Sequence, residues 1–363
     1  MTRRAERAGA ALPAEPLPTP LARPRRARTT AAMRELVAET AVVPRNLVLP
    51  HFVVPGAAQA TPVASLPGVD RVSVDRLLPR LERQLRAGVR TALLFGVPDG
   101  ADKDPDGSRA DDPEGPVPRA LRAARAAFGD DLVLVSDVCL CAYTTHGHCG
   151  VLTPPRAHGS ELVIDNDRSL VRLAAMAAAH AEAGADLVSP SDMMDARVAA
   201  LRTRLDADGF TSVGILAYAV KYASAFYGPF RDAAGSSPDA AAASSTGGPP
   251  PPSDRASYQM DARNAREALR EAALDEAEGA DMLMVKPALP YLDVLARLRP
   301  TTTLPLVAYQ VSGEYAMFKA AVAAGVLDEA AATRETLLAI RRAGADLIVT
   351  YAALEAAEQG WLG

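Results

Sequence analysis

Short apolar runs alternate with longer amphipathic stretches from residue 45 onward. Eight runs have the length and composition of buried strands, at 47–54, 91–97, 132–138, 186–189, 212–220, 281–285, 306–311 and 346–350. Stretches with helical periodicity lie between most of them and have glycine at or near their ends, at 74–87, 118–128, 169–183, 261–278 and 331–343. This alternation predicts an α/β fold.

The number of strand and helix pairs narrows the fold class. Eight pairs in about 320 residues favour a (β/α)8 TIM barrel. A short repeat, Gly-Ala-Asp at 184–186, 279–281 and 344–346, joins a helix to an apolar run three times. The alternative is a doubly wound open sheet, but no glycine-rich dinucleotide loop follows the first run. We therefore predict a TIM barrel with an N-terminal extended arm.

Two segments fall outside the alternation. Residues 1–40 are rich in Arg, Pro and Ala, and we predict a partly disordered arm that makes subunit contacts; a nucleic-acid tail is the alternative. Residues 41–363 then form the catalytic barrel. The low-complexity stretch 233–253 follows the fifth predicted strand, where barrel enzymes place loops that cover their sites. It predicts a lid segment around 222–258.

Composition and charge limit the classes of partner. The chain has 363 residues, 49% of them hydrophobic, and its 39 basic and 44 acidic residues give a net charge of −5. This balance offers no attraction to nucleic acid or acidic membranes. We find no apolar run of transmembrane length, and prolines follow the N-terminal arginines where a secretory leader would be apolar. We expect a cytoplasmic protein whose partners are small molecules or further copies of itself.

All three cysteines lie within eleven residues, as Cys139, Cys141 and Cys149, directly after the third predicted strand. Residues two apart on a strand point to the same side, so Cys139 and Cys141 can present two thiolates to one point. Three thiolates favour zinc and leave one position open for water or substrate. The alternatives are buried free thiols, a closed structural site completed by His146 or His148, and an iron–sulfur cluster.

Lysine is rare in this chain, with four residues against 35 arginines. Two of the four, Lys221 and Lys286, follow the fifth and sixth predicted strands, at the end where TIM-barrel active sites form. A desolvated amine can attack a carbonyl and form a Schiff base, which a guanidinium cannot do. Two neighbouring lysines also lower each other's pKa. Both are candidate catalytic residues; the alternative is that each simply ends a strand and reaches solvent.

Other polar residues are predicted at the same rim: Arg231, Arg255, Ser312, Tyr351, Asp137, Ser191 and Asp192. Arginine suits a substrate carboxylate, and the carboxylates could handle protons, although Asp192 could equally cap a helix. Farther along, Glu267, Glu271 and Asp275 share one helix face that has no basic partner of its own. A solvated face is favoured there, with a hard-cation site as the alternative.

Five motifs, in this order, resemble the porphobilinogen synthase family, also called 5-aminolevulinate dehydratase. They are DVCLC with HGHCG (137–141 and 146–150), SDMMD (191–195), FYGPFRD (226–232), MVKP (284–287) and VSGE (311–314). The resemblance extends over nearly the whole chain from about residue 20. It departs from the family mildly, for example at Ala196, where many relatives have glycine. The resemblance implies a hydro-lyase that condenses two 5-aminolevulinate molecules to porphobilinogen, with loss of two waters, in tetrapyrrole (heme) biosynthesis.

The resemblance also assigns roles to residues. Lys221 would form a Schiff base with the acetate-side substrate and Lys286 with the propionate-side substrate, next to Asp137 as a further catalytic group. Arg231 and Arg255 would bind the acetate-side carboxylate, and Ser312 and Tyr351 the other one. The remaining pocket residues implied are Ser191, Asp192, Tyr227 and Tyr309.

Metals and assembly follow from the same resemblance. Because all three cysteines are present, the chain resembles the zinc-type bacterial members. The position of Glu271 contributes to an allosteric magnesium site in some of them, and family members usually form homo-octamers through the arm. The alternatives are a Schiff-base aldolase, which would leave the thiolates unexplained, and a non-catalytic zinc-binding protein, which would need neither lysine.

Overall fold

A computed structural model describes residues 22–155, 161–238 and 249–363. The chain divides into two compact units, Met1–Thr40 and Ala41–Gly363. In the first, a 3-10 turn (Pro24–Arg28) precedes helix α1 (Ala31–Leu36), which Thr30 caps by accepting a hydrogen bond from the backbone of Met33. Residues 1–21 of the predicted arm and 239–248 of the predicted lid lie outside the described residues.

Twelve strands form within the described residues of the second unit. They are β1 (Leu47–Val53), β2 (Ala60–Pro62), β3 (Asp70–Val72), β4 (Thr91–Gly96), β5 (Val133–Val138), β6 (Val151–Thr153), β7 (Val163–Asp165), β8 (Leu187–Pro190), β9 (Gly214–Lys221), β10 (Met282–Lys286), β11 (Leu306–Tyr309) and β12 (Leu347–Val349).

Ten further α-helices accompany these strands in the described residues. They are α2 (Val74–Arg86), α3 (Pro116–Phe128), α4 (Asn166–Glu182), α5 (Arg197–Ala207), α6 (Gly228–Ala234), α7 (Arg266–Ala277), α8 (Leu292–Leu298), α9 (Ser312–Ala323), α10 (Glu329–Arg342) and α11 (Ala353–Glu358). None of the helices in the described ranges is long and apolar enough to cross a bilayer.

Eight of the strands form a closed parallel barrel. Their order is β1, β4, β5, β8, β9, β10, β11 and β12, and β12 pairs back with β1 through Leu47 and Ile348. All eight correspond to predicted runs, so the (β/α)8 TIM barrel is confirmed and the open sheet is excluded. Because every strand runs the same way, residues at the strand ends meet at one rim.

Two apolar layers hold the barrel together, because successive side chains on a strand point to opposite sides. One layer fills the interior with large side chains, among them Phe52, Phe95, Tyr218 and Tyr309. The other lies between the strands and the surrounding helices. The interior is therefore a packed core, and aromatic side chains fill it beneath the rim.

The Gly-Ala-Asp repeat builds the same joint at the amino end of three barrel strands. Each glycine has a positive φ, between 102° and 120°, which lets the chain leave the preceding helix. Each aspartate carboxylate then accepts a hydrogen bond from the preceding barrel strand, with N···O distances of 2.7 Å for Asp186 with Leu134, 2.7 Å for Asp281 with Ile215 and 2.9 Å for Asp346 with Leu306. The repeat thus ties neighbouring strands together.

The structure adds features that the sequence pattern does not predict. The hairpin of β2 and β3 extends the edge of β1, and β6 pairs with β7 beyond the cysteine segment. Helix α7 begins at Arg266 and not at 261, because Asp261 accepts hydrogen bonds from the backbone and side chain of Arg263 and forms a turn. Ala196 has a φ of 62°, a conformation that glycine adopts more readily than alanine.

Candidate active site

Lys221 and Lys286 are the last residues of β9 and β10, and the parallel register places them side by side. Each is only 4% exposed. The alternative that each lysine merely reaches solvent is therefore wrong. Two amines are instead held at the carboxyl-end rim, where a small molecule entering the barrel would meet both.

An aromatic cage surrounds the amine of Lys286. Its Nζ lies 4.4 Å from the ring centroid of Tyr309, 4.9 Å from Phe230, 5.0 Å from Tyr218 and 5.3 Å from Tyr227. Burial, and then the charge of Lys221, lower the pKa of Lys286 to about 7. A substantial fraction of this amine is unprotonated at neutral pH and can act as a nucleophile.

Lys221 and Asp137 occupy the neighbouring part of the rim. The Nζ of Lys221 donates a hydrogen bond to the carbonyl oxygen of Ser191, directly after β8. Asp137, on β5, has a buried Oδ1 with no hydrogen-bond partner among the described residues. Burial raises the pKa of Asp137 to about 6, although the Ser191 hydroxyl and both lysine charges favour the carboxylate. Asp137 can thus exchange a proton beside the two amines near neutral pH.

The three cysteines converge, as predicted from their spacing. Their sulfur atoms lie within 4.8 Å of one another, and the Sγ atoms of Cys139 and Cys141 are 3.4 Å apart. The pKa of Cys149 is held well below its ordinary value, because the thiols of Cys139 and Cys141 hydrogen-bond to its sulfur. Three convergent sulfur donors, one of them readily ionised, fit a thiolate-bound metal ion.

Both histidines of this segment make hydrogen bonds away from the sulfur cluster. The Nε2 of His146 is 3.0 Å from the carbonyl oxygen of Pro105, and its Nδ1 accepts the backbone N–H of His148. The ring of His148 contacts the Tyr258 hydroxyl at 3.1 Å and the Pro252 carbonyl oxygen at 2.9 Å. The structure therefore supports three ligands and not a closed four-ligand site.

Arg231 and Arg255 lie close enough for their charges to interact. Burial, and then the charge of Arg255, lower the pKa of Arg231. Arg255 is 4% exposed, and its Nη2 donates to the carbonyl oxygens of Gly147 and Ser236 at 2.8 and 2.6 Å. Neither guanidinium forms an ion pair with a carboxylate in the described part of the chain. Two adjacent cations of this kind suit a bound carboxylate.

Gln259 is a polar residue that the sequence reasoning missed. It is 4% exposed, and neither its amide nitrogen nor its amide oxygen has a hydrogen-bond partner among the described residues. Its backbone N–H donates to the carbonyl oxygen of Arg255 at 2.9 Å, so the two residues share one turn. A buried amide without partners is costly, and a polar ligand next to Arg255 would satisfy it. The one feature of the sequence that points to Gln259 is its position four residues after Arg255.

The predicted hydroxyl groups of Tyr309, Ser312 and Tyr351 follow or end the last two strands of the barrel, β11 and β12. The hydroxyls of Tyr309 and Tyr351 are 3.0 Å apart. The Ser312 Oγ accepts the backbone N–H of Phe230 at 2.9 Å. The Tyr227 hydroxyl donates within the fold, to the carbonyl oxygens of Tyr222 and Lys286, so its ring and not its hydroxyl faces the Lys286 amine.

Asp192 is not a helix cap. Its Oδ1 accepts the backbone N–H of Met194 at 2.7 Å, whereas α5 begins five residues later, at Arg197. The Oδ2 of Asp192 is buried without a partner among the described residues, and burial raises the pKa of Asp192 to about 7. Asp192 therefore belongs with Asp137, as a carboxyl group with a proton affinity suited to neutral pH.

The predicted solvated face of α7 is wrong for one of its three carboxylates. Asp275 is 3% exposed and pairs with Arg197, with a 2.7 Å Nη2···Oδ2 distance. The basic partner comes from α5, so the sequence pattern of α7 alone could not predict this ion pair. Glu267 and Glu271 do line a cavity of about 400 Å³ outside the barrel, together with Asp195 and Asp261.

A second missed residue, Glu314, connects two segments of the rim. Its carboxylate accepts the backbone N–H groups of Val311 at 2.6 Å and Leu289 at 2.7 Å. Leu289 follows Lys286 by three residues, and Val311 precedes Ser312. Glu314 thereby fixes the loop after Lys286 relative to the loop that carries Ser312. The sequence reasoning counted Glu314 only among the polar groups of its motif, because its partners are distant in the chain.

A closed barrel that buries two cross-strand lysines beside partly protonated carboxylates defines an enzyme that attacks carbonyl substrates through Schiff bases. The comparisons with known proteins make this class specific. The family model for delta-aminolevulinic acid dehydratase matches residues 21–359, and the chain belongs to that family. The family's enzymes are hydro-lyases, also called porphobilinogen synthases.

Individual relatives agree over nearly their full length. The chain is 49% identical over 343 residues to the delta-aminolevulinic acid dehydratase of Mycobacterium tuberculosis, covering 94% of this chain and 98% of that protein. It is 48% identical over 338 residues to the one of Streptomyces coelicolor, covering 93% and 97%. The crystal structure of the Toxoplasma gondii enzyme with its reaction product porphobilinogen is similar, with a TM-score of 0.87, 45% identity, and coverage of 94% of this chain and 92% of that one.

Proposed function

We propose that this protein condenses two molecules of 5-aminolevulinate into one porphobilinogen and two waters, using both buried lysines. The observation that carries the proposal is the cross-strand pair of Lys221 and Lys286, each 4% exposed at one rim. A single-lysine aldolase mechanism has no use for the second amine. Family membership supports the same reaction.

Each lysine holds one substrate through its ketone. The unprotonated amine attacks the carbonyl carbon, and one water leaves as each Schiff base forms. A carbon–carbon bond and a carbon–nitrogen bond then join the two substrates, and both lysines are released as free amines. Lys286 can start this sequence near neutral pH, because burial and the neighbouring charge keep its pKa near 7.

The arginine pair and the hydroxyl pair separate the two substrate carboxylates. Arg231, Arg255 and the amide of Gln259 are proposed to bind the acetate-side carboxylate. The Ser312 hydroxyl and the Tyr309–Tyr351 pair are proposed to bind the propionate-side carboxylate near Lys286. This separation gives each lysine one substrate in a defined orientation, which converts a two-substrate reaction into a step within one complex.

Proton transfer is assigned to the two buried carboxyl groups. The pKa of Asp137 is near 6 and that of Asp192 near 7, so each can change protonation state during the reaction. Asp137 interacts electrostatically with both lysines. It is therefore proposed to take protons from the Schiff-base intermediates and to return them to the departing amines. Ser191 orients this group through its hydroxyl and holds Lys221 through its carbonyl oxygen.

Cys139, Cys141 and Cys149 are proposed to hold one zinc ion, because soft thiolates select zinc and three ligands leave a position for substrate. When bound, zinc would supply Lewis-acid assistance to the acetate-side substrate. The charge of Arg255 reaches all three sulfurs, so the proposed metal ligands and the carboxylate-binding arginine are neighbours.

Assembly, location and a second metal are also proposals. Leu36 is 78% exposed on α1, and an exposed apolar side chain there supports subunit contacts by the arm, in a homo-octamer. Glu271 lines the acidic cavity described above, which supports a magnesium site. Light scattering with and without magnesium tests both proposals. We also propose a cytoplasmic location. The net charge of −5 gives no general attraction to nucleic acid, which supports the proposal that the protein has no nucleic-acid partner.

The reaction is tested by incubating the purified protein with 5-aminolevulinate and measuring the pyrrole product, with and without a zinc chelator. We expect product that falls on chelation and returns with added zinc. Borohydride reduction followed by peptide mass analysis should place substrate adducts on Lys221 and Lys286. The matched control is Lys319→Arg, since the Lys319 amine is held by ion pairs with Glu329 and Glu355. Absence of product from zinc-replete protein would contradict the proposal.

A further inference from the structure

Helix α6 (Gly228–Ala234) lies over the Lys286 amine and carries Arg231. Its first half is fixed by the Phe230 backbone, which donates to the Ser312 Oγ, and by the Phe230 ring, which packs 5.0 Å from Phe95 and 5.6 Å from Phe52. Arg231 follows in the last turn. The position of α6 therefore decides how one proposed carboxylate ligand faces the site.

The end of α6 and the two residues after it, Gly235 and Ser236, are held by three cations from other parts of the chain. Arg71 of β3 donates to the carbonyl oxygens of Asp232 and Ala233, the latter at 2.7 Å. Lys103, in the loop after β4, donates to the Gly235 oxygen at 2.6 Å. Arg255 donates to the Ser236 oxygen at 2.6 Å.

These bonds engage carbonyl groups at and just after the helix end, and positive charge there interacts favourably with the helix dipole. The single basic residue in the last turn of α6 is Arg231, so the cations that cap this end come from elsewhere. Lys103 forms no ion pair with a carboxylate in the described residues, and burial lowers its pKa. Its clearest structural role is therefore the bond to Gly235.

The loop that carries Lys103 is itself attached to the cysteine segment. The backbone N–H of Asp104 donates to the Tyr143 oxygen at 3.2 Å, and that of Thr145 donates to the Asp104 oxygen at 3.1 Å. The cysteine segment also contacts the chain after α6 directly, since a Cβ at Gly147 would collide with the backbone oxygen of Ser237. The end of α6, the Lys103 loop and the cysteine segment thus form one connected unit.

We propose that Lys103 and Arg71 are positioning residues that hold the last turn of α6 and thereby place Arg231 beside Arg255 for the substrate carboxylate. This inference rests on the function proposed above. Neither residue touches the reacting atoms; both act through the helix that carries Arg231. Their loss should weaken substrate binding and leave the chemistry of a bound substrate intact.

The test compares Lys103→Met and Arg71→Met with the parent. Each substitution removes a charged donor to a backbone carbonyl, so the KM for 5-aminolevulinate should rise about tenfold while kcat at saturation is unchanged. Lys103→Arg keeps a charged donor and should restore most of the affinity. Amide hydrogen exchange of the peptide covering 228–236 should speed up in both Met variants.

The matched control is Arg202→Met, which removes a comparable bond, from Nη1 to the Val213 oxygen at 2.7 Å, at the amino end of β9. It should leave KM and exchange at 228–236 unchanged. An unchanged KM in both Met variants, or a joint fall of kcat and thermal stability that Lys103→Arg does not restore, overturns the inference. If the parent makes no porphobilinogen, the proposed function fails. Hydrogen exchange and binding of 4-oxopentanoate, the substrate skeleton without its amine, then still decide whether the two cations position Arg231.

Discussion

The two ends of the barrel use the same residue types in opposite ways. At the amino end, Asp186 accepts the backbone N–H of Leu134 and pairs with Arg125, so its carboxylate is satisfied. At the carboxyl end, Asp137 and Asp192 each keep a buried oxygen without a partner among the described residues, and burial raises their pKa values to about 6 and about 7. Paired carboxylates stabilise this barrel, and unpaired ones are available for proton transfer.

The arginines show the same contrast. Arg299, at the amino end, donates to the Asp346 carboxylate and to the carbonyl oxygens of Thr302 and Leu304. Arg231, at the carboxyl end, has a buried Nε without a partner among the described residues, and the charge that most affects its pKa is that of another arginine, Arg255. The difference implies that substitutions at the two ends should separate activity from stability.

The largest effect is expected for Lys286→Arg. A guanidinium stays protonated and cannot form a Schiff base, so kcat should fall by at least about a thousandfold. The thermal unfolding midpoint should fall modestly, because the burial that lowers the pKa of Lys286 disfavours a permanent cation, while the aromatic rings offset part of that cost. Steady-state kinetics and a thermal melt measure the two quantities. Retained activity would show that this amine is not the nucleophile.

Cys149→Ser should come next. Loss of one of three sulfur ligands should weaken metal binding on the order of a hundredfold, and activity should fall with the metal content. Metal analysis of the purified protein gives a readout independent of turnover. The control is His146→Gln, since the His146 ring bonds elsewhere and its loss should leave the metal content unchanged. Equal metal loss in both variants would contradict a three-cysteine site.

The pH dependence gives a smaller effect. Lys286 must lose its proton before it can attack, and its pKa is lowered to about 7 by burial and by Lys221. Below pH 7 the ammonium predominates, so kcat/KM should fall about tenfold for each pH unit. Above pH 7, kcat/KM should no longer rise with pH on account of this group. An acid limb centred near the ordinary lysine value would instead mean that the amine is solvated in the working enzyme.

The smallest effect is expected at the amino end, for Asp186→Ala. The variant loses the acceptor for the Leu134 N–H and the partner of Arg125. Because the site is partly exposed, we expect a loss of about 1 kcal/mol, or about 2 °C in the unfolding midpoint. The kcat should equal that of the parent. A large loss of activity at unchanged stability would remove the contrast between the two ends.

The sequence predicts the barrel well because each of its strands is a buried apolar run with a clear boundary. It misses β2, since Ala60–Pro62 is short, exposed and contains proline. It predicts that Lys221 and Lys286 lie near one another, but their cross-strand register depends on strand pairing that the pattern does not contain. The sequence was sufficient to predict which strands are neighbours, but it was not sufficient to predict which residues pair across them.

The site residues that the sequence misses act through partners distant in the chain. Glu314 bonds to Leu289, 25 residues away, and Lys103 bonds to Gly235, 132 residues away. The pairing of Asp275 with Arg197, 78 residues apart, likewise overturns the solvated-face prediction. Cysteine and lysine are recognisable from their chemistry, whereas a buried carboxylate or amide takes its role from what the fold places around it.

The pairing of β1 with β12 also has a consequence for protein synthesis. The side chain of Asn46 bonds to the backbone of Asp346, 300 residues later, so the first barrel strand meets its second neighbour only after the last strand has left the ribosome. Until then the part of this β1 edge at Leu47 and Val48, which β3 does not cover, carries unpaired backbone groups beside fully buried apolar residues. A nascent chain of this protein therefore has an open sheet edge during most of its translation, and that edge is where a ribosome-associated chaperone would be most useful.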